Sequence, residues 1–190
     1  PLSASERSTV YRGFAEAFRA PDGGIDLLHE DLVPLPPANA SQAFVEAFDT
    51  AVSPNACSLH ESDHSTREQM SLFEELVRWH DHFGLRRTDT GELPDHISAE
   101  LEFMHFLTHR ESLHENDPDA KSALRRAQHD FLERHLLPLA KGIREKCTST
   151  TPRYASLASQ LPVFLKDELT RWKTLEFTLV NVPCESYCAQ

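Results

Sequence analysis

At 190 residues, with 39% hydrophobic and 26% charged side chains, the chain is long enough to bury a substantial core without disulfide or metal staples. Its 30 acidic against 19 basic residues leave a net charge of −11, a balance that repels nucleic acid and anionic lipid and argues against both as partners. No stretch approaches the roughly 18 apolar residues of a membrane span, and the first residues, Pro1-Leu-Ser-Ala-Ser-Glu-Arg7, lack the basic and apolar regions of an export signal, so cytoplasmic residence without stable membrane association is expected.

The first helix is predicted over about 5–19, where Val10, Phe14 and Phe18 step by four beside Tyr11 and Ala17, and where Pro21 and Gly23-Gly24 end it. A short helical turn is expected over 25–32, ahead of the proline-rich Val33-Pro-Leu-Pro-Pro37. A second helix over 41–52 carries Phe44, Val45, Phe48 and Val52, and a polar loop follows to His64. Ser65-Thr-Arg-Glu68 reads as a capping box for a helix bearing Met70, Phe73, Leu76, Val77 and Phe83, which stops at Gly84.

Glu92-Leu-Pro-Asp-His96 then opens the most apolar helix of the chain. Pro94 sets φ for helix entry, and Asp95 is expected to cap the first turn and complement the helix dipole. Ile97, Leu101, Met104 and Leu107 follow at helical spacing, widened by Phe103 and Phe106, to about Glu111. Asp117-Pro118 caps the next helix, with the stripe Leu124, Phe131, Leu132, Leu136 and Leu139, and Pro138 predicts a kink before about Cys147. Thr151-Pro152 starts the last helix, through Tyr154, Leu157, Leu161, Phe164, Leu165, Leu169 and Trp172, with a kink or break expected at Pro162. The tail over 179–190 is expected to pack along the surface. No strand alternates and no repeat is visible. The pattern predicts an all-α protein of six to eight helices with proline kinks, one domain over 1–190, in which 1–64 is a candidate lobe packed on 65–176 and 177–190 is a tail.

Little here suggests catalysis. No Gly-x-Gly-x-x-Gly, P-loop or Gly-x-Ser-x-Gly occurs, and Cys57 lacks a catalytic setting, so no catalytic residue, no cofactor and no enzyme activity are expected. His60-Glu-Ser-Asp-His64 matches a zinc-peptidase pattern but lies in a loop, not on an apolar helix. His105 and His109, and His80 with His82, also fall at ligand-like spacings. A helical metal-binding or redox enzyme using these histidines is the alternative, while scattered capping and polar-face histidines are the favoured reading, with no metal. The four cysteines are scattered and expected to be reduced, although Cys184 and Cys188 could pair on air oxidation. Trp79 and Trp172 read first as core residues, and secondarily as anchors beside a groove for an apolar peptide. Asp95-His96 reads either as a cap with an incidental histidine or as an acid partner for a guanidinium.

Glu92-Leu-Pro-Asp-His96, followed by Glu100-Leu101 and Phe103-Met104, resembles the Glu-Pro-x-Asp-His motif of the molybdoenzyme maturation chaperones (the TorD, DmsD and NarJ family). Phe131-Leu132-x-x-His135-Leu136-x-Pro138 resembles the family's His-Leu-x-Pro-Trp segment, with Leu139 in place of the Trp. Tyr154-x-x-Leu157-Ala158 is similar to the signature of its last helix, and Trp79 sits where relatives often have an aromatic. Leu93 stands where the TorD and DmsD form has its proline, one place before Pro94. The mixed motif is similar to that of chaperones serving ethylbenzene, dimethyl sulfide and selenate or chlorate-type enzymes. This resemblance implies a non-catalytic cytoplasmic chaperone, monomer or dimer. It would bind the catalytic subunit of a molybdopterin-containing oxidoreductase, at its twin-arginine leader or another part, until the cofactor is inserted. The residues it implies for client binding are Glu92, Pro94, Asp95, His96, Glu100 and Trp79.

Overall fold

The computed structural model describes residues 2–21, 37–86 and 92–180, with residues 37, 38 and 172–180 described as helical backbone alone. The regular structure of the described residues is helical, with no strand among them. The elements are α1 (Ala4–Ala17), α2 (Pro37–Phe48), a 3-10 turn (Glu61–Asp63), α3 (Gln69–His82) and α4 (Ile97–Leu113). After these come α5 (Pro118–Phe131), a π turn (Leu132–Leu136), α6 (Leu137–Lys146) and α7 (Pro152–Val180). The expected turn over 25–32, the pairing of Cys184 with Cys188 and residues 181–190 of the expected tail lie outside the described residues, while residues 177–180, expected as the start of that tail, continue helix α7. No described helix is long and apolar enough to cross a membrane.

The start of α1 is set by a capping box: Ser3 Oγ accepts from the Glu6 amide, and Glu6 returns a carboxylate oxygen to the Ser3 amide at 2.7 Å. The helix ends at Ala17, before the Pro21 and glycines expected to stop it. Helix α2 likewise lies several residues N-terminal of its predicted span. The expected Ser65 capping box is not formed. Glu68 is the N-cap of α3, accepting from the Met70 and Ser71 amides at 3.0 and 2.7 Å, while Ser65 Oγ reaches only the Arg67 amide. At the other end Gly84 takes φ +72°, as a C′ glycine should.

Helix α4 is the axis of the molecule. It packs on α1 along one side and on α5 along another. Ile97, Leu101, Phe103, Met104 and Leu107 are buried, and so are the polar Ser98, Glu100, Thr108 and Glu111, because neighbours cover it nearly all round. An aromatic ladder fixes α3 and α5 against it: Phe103 lies 4.7 Å from Phe131, 5.7 Å from Phe83 and 6.2 Å from Trp79, centroid to centroid. A second group, Phe18, Phe44, Phe48 and Tyr154, joins the end of α1 and α2 to α7.

The two internal prolines behave differently. Pro138 has no N–H to give, and its ring crowds the carbonyl four residues back. The preceding turn widens into the π segment Leu132–Leu136, where the Leu137 amide reaches back five residues to the Leu132 carbonyl. That widening carries His135 into the core at 0% exposure. At Pro162 the expected break does not occur. Helix α7 runs on from Pro152 to Val180, pinned through the proline by the buried Leu157, Leu161 and Leu165.

The loop before α3 is held down on α6. His64 Nε2 donates to the Ser58 carbonyl at 2.8 Å, Lys146 Nζ donates to the Asp63 carbonyl at 2.7 Å, and the His64 ring lies directly over Gly142. A methyl group at Gly142 would stand 2.5 Å from His64 Nδ1 and 2.8 Å from its Cβ. Gly142→Ala is therefore expected to lower the urea midpoint by the equivalent of about 1–3 kcal/mol, the range for overpacking a filled site. An unchanged midpoint would show that the loop can lift off α6 freely.

Candidate functional site

The loop over 58–64 and the Glu92–His96 motif meet edge to edge. The Glu61 amide donates to the Asp95 carbonyl at 2.8 Å and the Ile97 amide donates to the Leu59 carbonyl at 2.9 Å, forming an isolated antiparallel bridge between His60 and His96. Side chains reinforce it. Asp95, at 0% exposure, accepts from His60 Nδ1 at 2.9 Å, from Ser62 Oγ at 2.7 Å and from the Ser62 amide at 3.3 Å. Burial works against the Asp95 carboxylate, but the bonds from His60 and Ser62 hold it below the usual range. The same bond raises His60 above an ordinary histidine, against its partial burial.

Asp95 is thus not the helix cap that its position predicts. The N-cap of α4 is His96, whose Nδ1 accepts from the Ser98 amide at 3.3 Å and lies 2.7 Å from Ser98 Oγ. Accepting at Nδ1 places the ring proton on Nε2. Burial pushes His96 down to about 4, so the ring is neutral near pH 7.

In front of this junction lies a pocket of about 410 Å³. Its apolar wall is Val77 and Leu85 with Pro94, Phe103 and Phe106, and its polar edge is Asp81, Glu92, Glu102, Arg19 and Arg86, with His80 and Ala99 completing it. Arg19, from the end of α1, forms an ion pair with Glu102, leaving Asp81 and Glu92 as further acids on the edge. Burial lowers His80, against the pull of the neighbouring Asp81. Val77 and Leu93 are exposed apolar residues on or beside this pocket.

The six residues singled out from sequence therefore separate. Glu92 and Pro94 line the pocket. Asp95 and His96 form the buried junction behind it. Glu100 points into the core at 0% exposure and does not line the pocket. Trp79, half-buried against Phe103 and Phe131, lines a different, shallower groove with Glu75, Arg78, His82 and Arg134. The sequence reading missed His60 and Ser62, the partners of Asp95, which sit 33 to 35 residues earlier. It also took Phe103 and Phe106 as stripe only, although they line the pocket. No residue pattern near His60 announces the pairing, because it depends on how the loop folds back.

Among the described residues no three His, Cys, Asp or Glu side chains converge so as to hold a metal ion. His105 spends Nδ1 on Ser8, within 2.8 Å of its Oγ, and His64 is committed to Ser58. Cys57 is buried beside Cys147, and burial pushes its thiol up to about 12, far from a nucleophile's range.

Comparison with known proteins adds to the geometry. A model of the nitrate reductase delta subunit family matches residues 16–145. The chain is 41% identical over 103 residues to a perchlorate reductase assembly chaperone protein of Dechloromonas aromatica (strain RCB), covering 52% of this chain and 46% of that protein. It is 29% identical over 157 residues to a selenate reductase assembly chaperone protein of Thauera selenatis, covering 80% of this chain and 81% of the relative. With a chlorate reductase assembly chaperone protein of Ideonella dechloratans it shares 26% over 130 residues, 67% of each. The first of these matches spans about half the relative's length.

Proposed function

Since the chain belongs to the nitrate reductase delta subunit family, we propose that it is a non-catalytic assembly chaperone for the catalytic subunit of a molybdopterin-containing oxidoreductase. It takes hold of an N-terminal segment of that subunit, such as a twin-arginine leader, in the cytoplasm, and retains it until the cofactor is in place. The observation that carries the reading is the pocket at the Glu92–His96 motif. An apolar wall of Phe103, Phe106, Val77 and Pro94 beside the acids Asp81, Glu92 and Glu102 suits a segment that combines guanidinium groups with an apolar run. The three relatives, all assembly chaperones of oxyanion reductases by their names, support the same client class. A micromolar complex requires only about −8 kcal/mol, within reach of one apolar groove and a few charge-assisted bonds.

In this reading the motif residues divide the work. Glu92 and Pro94 meet the client. Asp95 and His96 hold the entrance of α4 in the position that shapes the pocket, and act through it.

The test is capture of the chain from cells under anaerobic conditions, followed by mass spectrometry. An uncleaved molybdoenzyme catalytic subunit is the expected companion. Val77→Asp, on the exposed rim, is expected to weaken that association about tenfold or more, as loss of an interface anchor does, while moving stability by no more than about 0.5 kcal/mol. Full retention of the client by Val77→Asp, or capture of no molybdoenzyme from cells producing one, would overturn the assignment.

A further inference from the structure

Beneath the proposed client site lies an acidic group that the pocket does not use. Glu100 sits one turn into α4, wholly buried, and neither of its carboxyl oxygens meets a hydrogen-bond donor. The charges that act on it are both negative: Glu61, from the 3-10 turn, and Asp95, from the motif loop. The cations of the surrounding elements are directed elsewhere. Helix α1 sends Arg7 to Glu111, Arg19 just beyond α1 pairs with Glu102, and α5 sends Arg125 to Glu111. The π turn places His135 Nδ1 3.0 Å from Glu61 Oε2, with its Nε2 3.3 Å from Glu75 of α3, itself paired with Arg67 and Arg134.

An ionised Glu100 would thus be a buried charge without a donor or a counter-ion, facing two other carboxylates. Glu61 and Glu100 can bond to each other only when one of them carries a proton. Burial first, and Glu61 second, hold Glu100 well above the usual carboxylate range, so the proton resides on Glu100.

We propose that Glu100 holds a proton that it donates in a hydrogen bond to Glu61, and that this bond fastens the 3-10 turn to α4 and so keeps Ser62 and His60 on Asp95. Glu100 is then a positioning residue for the client site, which loosens when the proton leaves. The inference rests on the chaperone reading only for its consequence, since the proton and the turn are properties of the chain alone. An acid whose folded value exceeds its unfolded one binds more protons in the folded state. Stability therefore falls as pH rises from about 4.5 toward the folded value, and becomes level above it.

Hydrogen exchange of the Glu61 and Ser62 amides, which donate to Asp95, reads the turn directly. Protection, corrected for intrinsic exchange, is measured between about pH 5 and 9 for the native chain, Glu100→Gln and Glu100→Leu. In the native chain it is expected to fall about tenfold or more as pH rises. Glu100→Gln keeps a donor for Glu61 and cannot ionise, so its protection should stay higher and fall less than that of the native chain, losing only what His60 supplies to Asp95 as its own proton leaves. Glu100→Leu has no donor and should be poorly protected at every pH. Level protection in the native chain, a parallel fall in Glu100→Gln, or equal protection in Glu100→Leu and Glu100→Gln would each overturn the proposal. The same three proteins are titrated with a synthetic twin-arginine leader peptide, whose affinity should follow protection. A native chain that binds no leader at any pH would count against the leader reading, while exchange still decides the role of Glu100.

Discussion

Asp95→Ala should lower the unfolding free energy by about 3 kcal/mol and remove client binding with it. The carboxylate is wholly buried and accepts from two elements of the preceding loop, His60 and Ser62. A hydrogen bond to an ionised group contributes about 1.5–3 kcal/mol. Two such side-chain bonds are lost, and part of the loss is recovered because His60 is half-exposed and regains water. Asp95→Asn, which can still accept from Ser62 but no longer balances His60, is expected to lose about half as much. The loss should also depend on pH. His60 is raised in the folded chain by its bond to Asp95, so its contribution is fully present below about pH 6.5 and is lost as pH rises through the folded value. Urea midpoints of the native and variant chains should therefore lie further apart at pH 6 than at pH 8. An NMR titration of His60 in Asp95→Ala should return toward an ordinary histidine. Equal midpoints, with client binding lost, would instead place Asp95 in contact with the client.

The fate of Asp95 shows what the sequence could and could not display. The stripe of α4, the Asp117 cap and the Gly84 stop are local patterns, and all three appear where the residues place them, whereas Val52, Met70 and Val77 of the other expected stripes are exposed. The family resemblance was legible for the same reason, since Glu92–His96 and His135–Pro138 are contiguous strings. The partner of Asp95 was not, because His60 arrives by a loop crossing that no spacing encodes. The burial of Glu100 away from the pocket was hidden for a different reason. A helix buried nearly all round has no polar face to which periodicity can assign an acid, so an inward glutamate and an outward one look alike. The capping residue of α3 was misplaced by three positions because Ser65 and Glu68 are both competent. The choice fell to the residue whose side chain reaches two free amides rather than one. At Pro138 the sequence predicted a disturbance, and the structure makes it the device that turns His135 inward toward Glu61.

The second large effect is expected at the opposite end of α4, where Arg7→Met should cost about 3–5 kcal/mol, the range for removing one partner of a buried ion pair. Arg7 of α1 is 1% exposed and spreads its guanidinium over three helices. It donates to Glu168 of α7 at 2.6 Å, to Glu111 of α4 at 3.0 Å and to Gln128 of α5 at 2.6 Å. Its removal does not fall equally on the two acids. Glu111 keeps Arg125 at 2.7 Å and Gln128 at 3.0 Å, whereas Glu168 is left with the Tyr11 hydroxyl at 3.4 Å and Arg171 at 3.8 Å. The double variant Arg7→Met with Glu168→Met should therefore regain more than half of the loss, because an apolar pair of similar volume replaces an uncompensated charge. The pH dependence follows Glu111. Burial opposes its ionisation, but Arg125, Gln128 and Arg7 hold it below the usual range. Its contribution is present above about pH 4.5 and is lost as pH falls through the folded value, and the share that Arg7 supplies is lost with it, so the gap between the native and Arg7→Met chains should narrow in acid. Because α1 meets the pocket edge only through Arg19, beyond the end that lies away from Arg7, the variant should keep its client affinity at low temperature, where the chain stays folded. Loss of affinity in a fully folded Arg7→Met would mean instead that strain at this network reaches the pocket along α1 and α4.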